Sequence, residues 1–501
     1  MRYLPDGTWM QRADSHTIQE IGIPSMVLME RAALKTVEVM EQEGINLSSA
    51  LIVCGSGNNG GDGFAVARLL KEKGFVPTVV FAGRETSLSA ECRAQKEIVE
   101  KLGILPCTEI PQAEYTVVID ALFGVGLSRN IEGRYAQILE QMNEIQAKKV
   151  AVDVPSGVHA ATGKIMGTAF RADLTVTFAC EKMGCVFYPG KSYSGKTVPV
   201  DIGIGTEIFK KQEEVAYTFD KEDLGRLLPK RKPDSHKGTY GKVLMITGSR
   251  GMAGAAYLSA KAAYTVGAGL VQIYTDRENR AILQGLLPEA ILSVYEEGGE
   301  NQEQLSRLLE WADVVCIGCG LGQSKTAEAL LAQTLCEAKV PCIVDADGLN
   351  LLSRHMDFVR EKKSPVILTP HMAEMARLSG CTVGEIKEDR MGKLDSFAEM
   401  YDVICALKDS RTVVAKKGRQ KFVNTAGNNA MAKAGSGDVL AGVITGLMAQ
   451  HMEPFEGCAL GVYLHACGGD EAREEKGNYS VMAQDLISGV QACLKKIKET
   501  K

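Results

Sequence analysis

The sequence predicts an α/β protein with two doubly wound domains. Three observations support this prediction: short apolar runs alternate with helical patterns, glycine-rich turns follow several of those runs, and a polar stretch divides the series. Strands that alternate with helices form parallel sheets whose two faces are covered by helices. A chain of 501 residues has the length for two or three such domains.

The first half of the chain begins with a helical pattern between Ile18 and Met40. The apolar run Ala50–Cys54 follows, and since a glycine cluster ends it, a buried parallel strand is predicted there. A second helix is predicted over 63–73. The other strands of this half are predicted over 77–82, 115–120, 150–154 and 173–178.

The polar stretch 206–222 has no clear period of two residues and marks the predicted domain boundary. The domains are therefore predicted to span 1–210 and 216–501. Beyond the boundary, strands are predicted over 242–247, 270–275, 313–317, 341–345, 365–369 and 412–415. Two helices rich in alanine and glycine are predicted last, over 438–450 and 455–474.

The charge balance argues against two classes of partner. The chain has 57 basic and 62 acidic residues and a net charge of −5, so no basic excess attracts nucleic acid or an anionic membrane. No apolar run approaches the length of about 18 residues that a transmembrane helix needs. The first residues also lack the apolar segment of an export signal, so we expect a cytoplasmic protein.

The 14 cysteines are scattered through apolar strands, which favours reduced thiols over a disulfide framework. Cys316 and Cys319 form a C-x-x-C pair, but no second pair or nearby histidine completes a zinc site. The spacing favours a coincidence at a strand end, with redox chemistry as the alternative.

A first candidate site follows the strand at 50–54. The glycines of Gly55–Gly63 accept positive φ and leave room for a diphosphate against backbone N–H groups, and a tight turn without a ligand is the less favoured alternative. Asp120 and Asp153 end two further strands, and the carboxyl ends of parallel strands line one crevice. Oxygens of Asn58, Asp120 and Ser156 would together form a site for a hard cation.

The first half resembles a known family. Gly-Asn-Asn-Gly-Gly-Asp-Gly at 57–63, Asp-Ala-Leu-Phe-Gly-Val-Gly at 120–126 and Asp-Val-Pro-Ser-Gly at 153–157 occur in this order. Together they resemble the NAD(P)HX epimerase domain, also called the YjeF N-terminal domain, over roughly residues 1–205. This resemblance implies a Rossmann-like domain that interconverts the R and S hydrates of NADH and NADPH.

The resemblance also implies roles for individual residues. Asn58, Asp120 and Ser156 would bind potassium. Asp153 is the candidate proton shuttle, and Lys182 is a second candidate, although a lysine near a loop is usually solvated. The implied substrate-binding residues are Gly57, Asn58, Asn59, Gly60, Gly61, Gly124, Val125, Gly126, Leu127, Ser128, Arg129, Asn130 and Asp153.

A second candidate site precedes the helix predicted at 438–450. The turn Gly435-Ser-Gly-Asp438 offers free amides and the positive end of a helix to a phosphoryl group. Asp438 either takes a proton from a nearby hydroxyl or only caps the helix. Other polar residues lie at the ends of predicted strands, namely Asp345, Asp347 and His371 with Glu374. Lys408 and Thr412 belong to a segment that precedes the strand predicted at 412–415 and could contact phosphates.

The second half resembles the ribokinase-like ADP-dependent NAD(P)HX dehydratases over roughly 216–501. The motifs that carry this resemblance are Ser-His-Lys-Gly-Thr-Tyr-Gly at 235–241, Gly-Cys-Gly-Leu-Gly at 318–322, Asp-Ala-Asp at 345–347, Leu-Thr-Pro-His at 368–371 and Gly-Ser-Gly-Asp at 435–438. Three positions depart from the family pattern. Met372-Ala373 replaces Pro-Gly, Ala434 replaces a glycine, and Cys319 replaces a proline.

The second resemblance implies that Asp438 is the base while the β-phosphoryl group of ADP is transferred to the hydroxyl of the S hydrate. Phosphate then leaves, which restores NADH or NADPH and yields AMP. Ala255, Gly320, His371 and Asp438 would contact the hydrate. Magnesium is expected with the nucleotide. The implied ADP-binding residues are Lys408, Asp409, Ser410, Arg411, Thr412, Asn428, Asn429, Gly435, Ser436 and Gly437.

The two resemblances predict a bifunctional metabolite-repair enzyme with NADHX, NADPHX and ADP as small-molecule partners, and we expect a homo-oligomer. Three alternatives stay open: a vitamin-precursor kinase fused to a nucleotide-binding domain, an RNA-associated scaffold and an oxidoreductase. The intact acids at 120, 153 and 438 and the charge of −5 disfavour the scaffold. The strand predicted at 77–82 contains no acid, which disfavours the oxidoreductase.

Overall fold

The computed structural model describes residues 1–497, and this part of the chain divides into two compact units. The first unit is Arg2–Tyr217, and the second begins at Thr218 and includes Met1. Both units are α/β, as predicted. Among the described residues, no helix is both long and apolar enough to cross a membrane.

The first unit contains a six-stranded sheet in the order β3-β2-β4-β5-β6-β7, in which every neighbouring pair is parallel. The strands in the first half of the chain are β1 Arg2–Leu4, β2 Ala50–Cys54, β3 Thr78–Phe81, β4 Val117–Ala121, β5 Lys148–Val152, β6 Leu174–Phe178, β7 Lys196–Val200 and β8 Ala216–Thr218. The helices are α1 Gly7–His16, α2 Ser25–Gln42, α3 Asn58–Glu72, α4 Ala90–Lys101, α5 Arg134–Glu144, α6 Met183–Val186 and α7 Gly190–Ser194.

Within the second unit, nine consecutive strands of one sheet lie in the order β17-β16-β15-β14-β13-β12-β9-β10-β11. These strands are β9 Lys242–Ile246, β10 Leu270–Asp276, β11 Ile291–Tyr295, β12 Val314–Ile317, β13 Cys342–Val344, β14 Val366–Leu368, β15 Ile404–Leu407, β16 Val413–Ala415 and β17 Phe422–Val423. The strands from β15 to β11 pair in parallel, whereas β16 pairs antiparallel with both β15 and β17.

The α-helices of the second unit occur throughout its sequence, from Leu224 to Lys496. They are α8 Leu224–Leu227, α9 Ala253–Thr265, α10 Arg280–Leu286, α11 Gln302–Trp311, α12 Lys325–Glu337, α13 Asp347–Leu352, α14 Asp357–Arg360, α15 Met372–Ser379, α16 Val383–Glu388, α17 Arg390–Tyr401, α18 Ser436–Ala449, α19 Pro454–Ser480 and α20 Ala483–Lys496.

Buried central strands stabilise the sheet of the first unit. All five residues of β2 and of β4 are buried, as expected for central strands that helices cover on both faces. The central pairing of β2 with β4 brings Cys54 level with Ala121. The glycine loop after β2 and the polar residues after β4 therefore leave the sheet at the same edge.

Some sequence expectations differ from the structure. The single helical pattern between Ile18 and Met40 is interrupted, because Gly22 has a φ of 85° and Pro24 precedes α2. Helix α3 begins at Asn58 rather than at 63, so the glycine loop forms its first turns. The sequence interpretation also missed β7, β11, β15 and α20. Of these, β11 lies at the edge of its sheet and only Tyr295 is fully buried, which weakens its apolar pattern.

Candidate active sites

The first unit has a cavity of about 510 Å³ at the edge of the sheet where β2, β4 and β5 end. Most of the predicted substrate-binding residues line it: Gly57, Asn58, Asn59, Gly124, Val125, Gly126, Leu127, Ser128, Arg129 and Asp153. Gly60 and Gly61 lie inside α3, where added Cβ atoms would lie 2.0 Å from the Gly55 carbonyl oxygen and 2.5 Å from Met29 Cε. These two glycines let the backbone pack closely behind the cavity wall.

Asp153 and Lys182 form a buried ion pair on the wall of this cavity. The Lys182 ammonium donates to Asp153 Oδ1, to Thr177 Oγ1 at 3.0 Å and to the Phe178 carbonyl at 2.8 Å. Asp153 Oδ1 also accepts from the Phe178 amide at 3.0 Å. The expectation of a solvated lysine was wrong, because Lys182 is only 1% exposed. The loop after β6 folds back and places its ammonium against the end of β5.

Further carboxyl groups line the same cavity, and the sequence interpretation missed them. Asp14 projects from α1 and Asp62 from the first turns of α3. Burial, with the charges of Asp153 and Asp14, raises the pKa of Asp62 well above its usual range. Burial, with the charges of Asp153 and Glu91, raises the pKa of Asp14. Asp62 belongs to the glycine motif itself, and that position was the signal available in the sequence.

Asp120 and Ser156 lie together at the end of β4. Asp120 is fully buried, and its carboxylate accepts from the Ser156 amide at 2.7 Å, the Ser156 hydroxyl at 2.6 Å and the Leu122 amide at 3.2 Å. Burial raises the pKa of Asp120 to about 6, against the effect of these donors. Among the described residues, no cation pairs with Asp120. Asn58 lies on the cavity wall and makes no hydrogen bond to either of them within the described chain.

The second site is built around the start of α18. Gly435 precedes the helix with a φ of 88°, and a Cβ there would lie 2.7 Å from Leu258 Cδ1. Only glycine satisfies both the left-handed backbone and this close approach. Asp438 lies in the first turn of α18. The departure at Ala434 is exposed and precedes this turn.

Buried Asp345 and partly buried Lys408 form a second ion pair beside the glycine turn. Lys408 Nζ donates to Asp345 Oδ1 at 2.5 Å, and the Thr369 hydroxyl donates to the same oxygen at 2.8 Å. A Cβ built on Gly437 would lie 3.5 Å from Lys408 Nζ and 3.6 Å from Asp345 Oδ2. The ion pair therefore lies directly against the backbone that is predicted to hold a phosphoryl group.

Asp438 is only partly enclosed by this cluster. Burial and the Asp345 charge raise its pKa to about 6, while the Cys319 thiol and the Lys408 charge act in the opposite direction. Among the described residues, Asp438 forms no salt bridge. A carboxyl group with such a pKa is ionised at neutral pH and takes up a proton readily, which suits a general base.

His371 begins α15 and has a capping role. Its Nδ1 accepts from the amides of Ala373 at 3.1 Å and Glu374 at 3.3 Å, and Glu374 accepts from the His371 amide at 2.8 Å. Burial and the charges of Lys408 and Arg377 lower the pKa of His371. The side chain is 51% exposed, and its Nε2 lies 3.4 Å from Glu374 Oε1. The Met372-Ala373 departure retains the amide at 373 that this cap uses.

The remaining residues predicted at this site differ in their surroundings. Gly320 and Ala255 lie together, since a Cβ on Gly320 would lie 2.8 Å from the Cβ of Ala255. Asp409 is paired with Arg390 at 2.6 Å. The Thr412 hydroxyl donates to the Asp409 carbonyl at 3.3 Å.

The polar segment before the glycine turn is held in place by hydrogen bonds to residues of α19. Asn428 donates to Asp470 Oδ1 at 2.8 Å and to the Gly469 carbonyl at 3.0 Å. Asn429 begins a short 3₁₀ turn that ends at Met431. These contacts orient the chain that leads to Gly435.

Two residues at the second site were missed. His465 of α19 is buried, its Nε2 has no partner in the described chain, and burial with the Lys408 charge lowers its pKa to about 4. Cys319 follows β12 and lies beside Asp345 and Asp438. The alanine and glycine around His465 indicated only close helix packing, and the C-x-x-C spacing gave no sign of these carboxylates.

Comparison with known proteins identifies both halves. A family model described as YjeF-related protein N-terminus matches residues 25–184, and one described as NAD(P)H-hydrate dehydratase matches 243–492. The bifunctional NAD(P)H-hydrate repair enzyme of Moorella thermoacetica is 37% identical over 99% of this chain and 97% of its own length. That of Escherichia coli is 34% identical over 97% of this chain and 94% of its own.

A solved structure matches the second unit. The ADP/ATP-dependent NAD(P)H-hydrate dehydratase of Bacillus subtilis, crystallised with ATP and Mg²⁺, is 30% identical with a TM-score of 0.51. The match covers 56% of this chain and 99% of that one. The ribokinase-like protein of Enterococcus faecalis is 31% identical with a TM-score of 0.52, over 57% of this chain and 97% of its own.

Proposed function

Because the chain belongs to the family of bifunctional NAD(P)H-hydrate repair enzymes, we propose how its two sites divide the work. The enzyme epimerises the R and S hydrates of NADH and NADPH and dehydrates the S form with ADP, yielding AMP and phosphate. Epimerisation belongs to the cavity of the first unit, and dehydration belongs to the glycine turn of the second. The observation that carries this division is that each site has its own aspartate beside a glycine-rich turn, buried Asp153 in the first unit and partly enclosed Asp438 in the second.

At the first site, Asp153 and Lys182 are the proton-transfer groups. Inversion at the hydroxyl-bearing carbon requires a side chain that takes and returns a proton close to that carbon. The contact between Asp153 and the Lys182 ammonium offers a proton acceptor and a proton donor on the same cavity wall. The glycine loop and the segment Gly124–Asn130 hold the rest of the dinucleotide.

Potassium is the cation that we propose for the oxygens around Asp120. Asp120 is a buried carboxylate whose hydrogen bonds come only from Ser156 and Leu122 in the described chain, and burial raises its pKa to about 6. Carboxylate, hydroxyl and amide oxygens are donors for a hard cation. Asn58, Asp120 and Ser156 would hold the ion, which supplies positive charge next to the substrate.

At the second site, Asp438 takes the proton of the hydrate's hydroxyl as that oxygen receives the β-phosphoryl group of ADP. The amides of 435–437 stabilise the charge that develops on the phosphoryl oxygens. Lys408 and the segments 409–412 and 428–437 hold ADP, while Ala255, Gly320 and His371 contact the hydrate. Magnesium would be held through the nucleotide phosphates, with Asp345 and Asp438 as the nearby carboxylates, and would supply positive charge there. The Bacillus subtilis dehydratase crystallised with ATP and Mg²⁺ supports this choice.

The cytoplasm is the proposed location, because it keeps thiols reduced and all 14 cysteines are free. A homo-oligomer and use of both NADHX and NADPHX remain predictions. Size-exclusion chromatography with light scattering tests the first of these. Parallel assays with each hydrate test the second.

The decisive experiment adds the enzyme to mixed epimers of NADHX with ADP, Mg²⁺ and K⁺ and follows NADH absorbance. We expect complete recovery of both epimers with ADP consumed. Asp120→Ala should stop near the S fraction and lose its response to K⁺, while its initial dehydration rate is retained. Recovery that stops at the S fraction in the unmodified enzyme would contradict the epimerase assignment. No recovery, with phosphorylation of a vitamin-precursor alcohol instead, would favour the kinase alternative.

A further inference from the structure

The second site contains a thiol that the repair chemistry does not use. Cys319 Sγ, one oxygen of Asp345 and one oxygen of Asp438 all lie within 4.8 Å of one another. The distance from Cys319 Sγ to Asp345 Oδ2 is 4.0 Å. Cys319 is fully buried and Asp345 is 1% exposed, while Asp438 is partly exposed. The family pattern has proline where this chain has Cys319, so the thiol is an addition to the site.

We propose that Cys319, Asp345 and Asp438 bind a thiophilic divalent cation such as Zn²⁺, and that the bound ion inhibits the dehydratase. On binding, the Cys319 thiol releases its proton to solvent, and the thiolate and two carboxylate oxygens become ligands. Asp438 is then unable to accept a proton. The inhibition, although not the binding, rests on the proposed role of Asp438 as base.

The distances suit this kind of ion. Tetrahedral zinc has Zn–S bonds of about 2.3 Å and Zn–O bonds of about 2.0 Å, which place sulfur and oxygen ligands roughly 3.5 Å apart. The observed 4.0 Å between Cys319 Sγ and Asp345 Oδ2 therefore requires a contraction of about 0.5 Å. Three protein ligands leave a fourth position open to water or to a phosphate oxygen, as in sites where zinc keeps an exchangeable ligand.

The surrounding charges attract a cation and leave the needed oxygens free. Lys408 and Thr369 both donate to Asp345 Oδ1, so Oδ2 remains on the side that faces Cys319. The negative charges of Asp345, Asp438 and Asp347 exceed the single positive charge of Lys408 in this cluster. Lys408 weakens the attraction without occupying a ligand position.

The thiolate gives the site its selectivity. Magnesium prefers oxygen ligands and binds through nucleotide phosphates, whereas zinc and cadmium bind thiolates strongly. Cys316 precedes Cys319 by three residues and belongs to β12, but it is not one of the three clustered ligands. The thiolate ligand would therefore make this site prefer zinc or cadmium to the magnesium that accompanies ADP.

The test titrates the full-length enzyme with Cd²⁺ and with Zn²⁺. Cadmium binding is followed by the ultraviolet charge-transfer absorbance of a Cd²⁺–thiolate bond, and zinc inhibition is measured on dehydration at fixed ADP and Mg²⁺. We expect one cadmium per chain at this site, and Cys319→Ala and Cys319→Pro to remove its absorbance. Both variants should raise the half-inhibitory zinc concentration at least about tenfold, relative to each variant's own uninhibited rate.

Two matched variants serve as controls. Cys405→Ala removes a buried thiol that lies near Cys458 rather than near a carboxylate. Cys336→Ala removes a partly exposed thiol that lies 3.3 Å from Glu361 Oε2. Both should keep the cadmium absorbance and the zinc sensitivity. Circular dichroism of every variant checks the fold.

The possible outcomes separate the proposed metal site from the proposed role of Asp438 as base. Cadmium absorbance and zinc sensitivity that persist in both Cys319 variants, or that disappear in Cys336→Ala, would overturn the metal site. Cadmium absorbance that depends on Cys319, with no inhibition of dehydration by the same saturating cadmium, would retain the site and contradict the proposed role of Asp438 as base. The epimerase rate serves as an internal reference and should not respond to Cys319.

Discussion

Each of the two units places an aspartate beside a glycine-rich turn, but only the aspartate of the first unit is paired with a cation in the described chain. Asp153 of the first unit is paired with the buried Lys182 ammonium. Asp438 of the second unit has no salt bridge within the described chain, because Lys408 is paired with Asp345 instead. A paired acid and base suit a reversible proton exchange within one site, whereas an unpaired carboxylate suits the removal of a proton from a substrate hydroxyl. The surroundings of the aspartate, rather than its presence, separate the two chemistries.

The glycines at the two turns also differ. Gly57 precedes α3 with a φ of −89°, and a Cβ there would have nothing within 4 Å. Gly435 precedes α18 in the left-handed region and would clash with Leu258 and Ala483. Gly57 therefore has open space around it, whereas Gly435 is tightly packed.

The largest expected effect comes from removing the unpaired base. Asp438→Asn should lower the dehydration rate by about two to four orders of magnitude, the usual scale for a general base. Epimerisation of the hydrates should be unchanged, since its site lies in the other unit. Dehydration is measured as NADH formation from the S hydrate and epimerisation by chromatography of the two epimers. A loss below tenfold would remove Asp438 from the role of base.

Breaking the ion pair between Asp153 and Lys182 is expected to have the next largest effect. Lys182→Met leaves the Asp153 carboxylate without its cation and removes a proton donor, so epimerisation should fall by about two orders of magnitude. Dehydration of pure S hydrate should continue. Since an unpaired buried charge also destabilises the fold, thermal unfolding is recorded with the rates. The double variant Asp153→Asn, Lys182→Met removes both charges; if it restored epimerisation, the pair would be structural only.

The pH dependence sharpens the comparison. Asp438 has a pKa of about 6, so kcat/KM for dehydration should fall about tenfold per pH unit below that value, as the base becomes protonated. The positive charge of Lys408 lowers this pKa, and Lys408→Met should therefore move the acid limb to higher pH. Rates at saturating ADP between pH 5 and about 8 locate the limb. If the acid limb of Lys408→Met had the same position as that of the unmodified enzyme, a group other than Asp438 would control the pH dependence.

The smallest expected effect distinguishes the two glycine turns. Gly435→Ala forces a left-handed residue into a packed position and should cost about 1–3 kcal/mol in the free energy of unfolding. Gly57→Ala, at an open helix start, should cost only a few tenths of a kcal/mol. Scanning calorimetry of both variants tests the difference. Equal shifts in the transition temperature would contradict it.

Much of the fold was predictable because it follows from local patterns. The strand Ala50–Cys54 is a short apolar run that ends in glycines, and the structure places β2 over those residues. Edge strand β11 and the antiparallel β17 were not predictable, because their burial depends on neighbours that the local sequence does not specify. The interruption at Pro24 followed a known local rule, and the prediction of one helical pattern gave that proline too little weight.

The sequence by itself determined the order of strands and helices, the glycine-rich turns and the two acids proposed for catalysis, since these depend on residues close together in the chain. Only the tertiary structure decided how charges are paired. Lys182 reaches Asp153 across 29 positions, and Lys408 reaches Asp345 across 63. It likewise brought Cys319 against Asp438. Burial and electrostatic pairing depend on three-dimensional distance, which no local spacing encodes, and they set the protonation of Asp438.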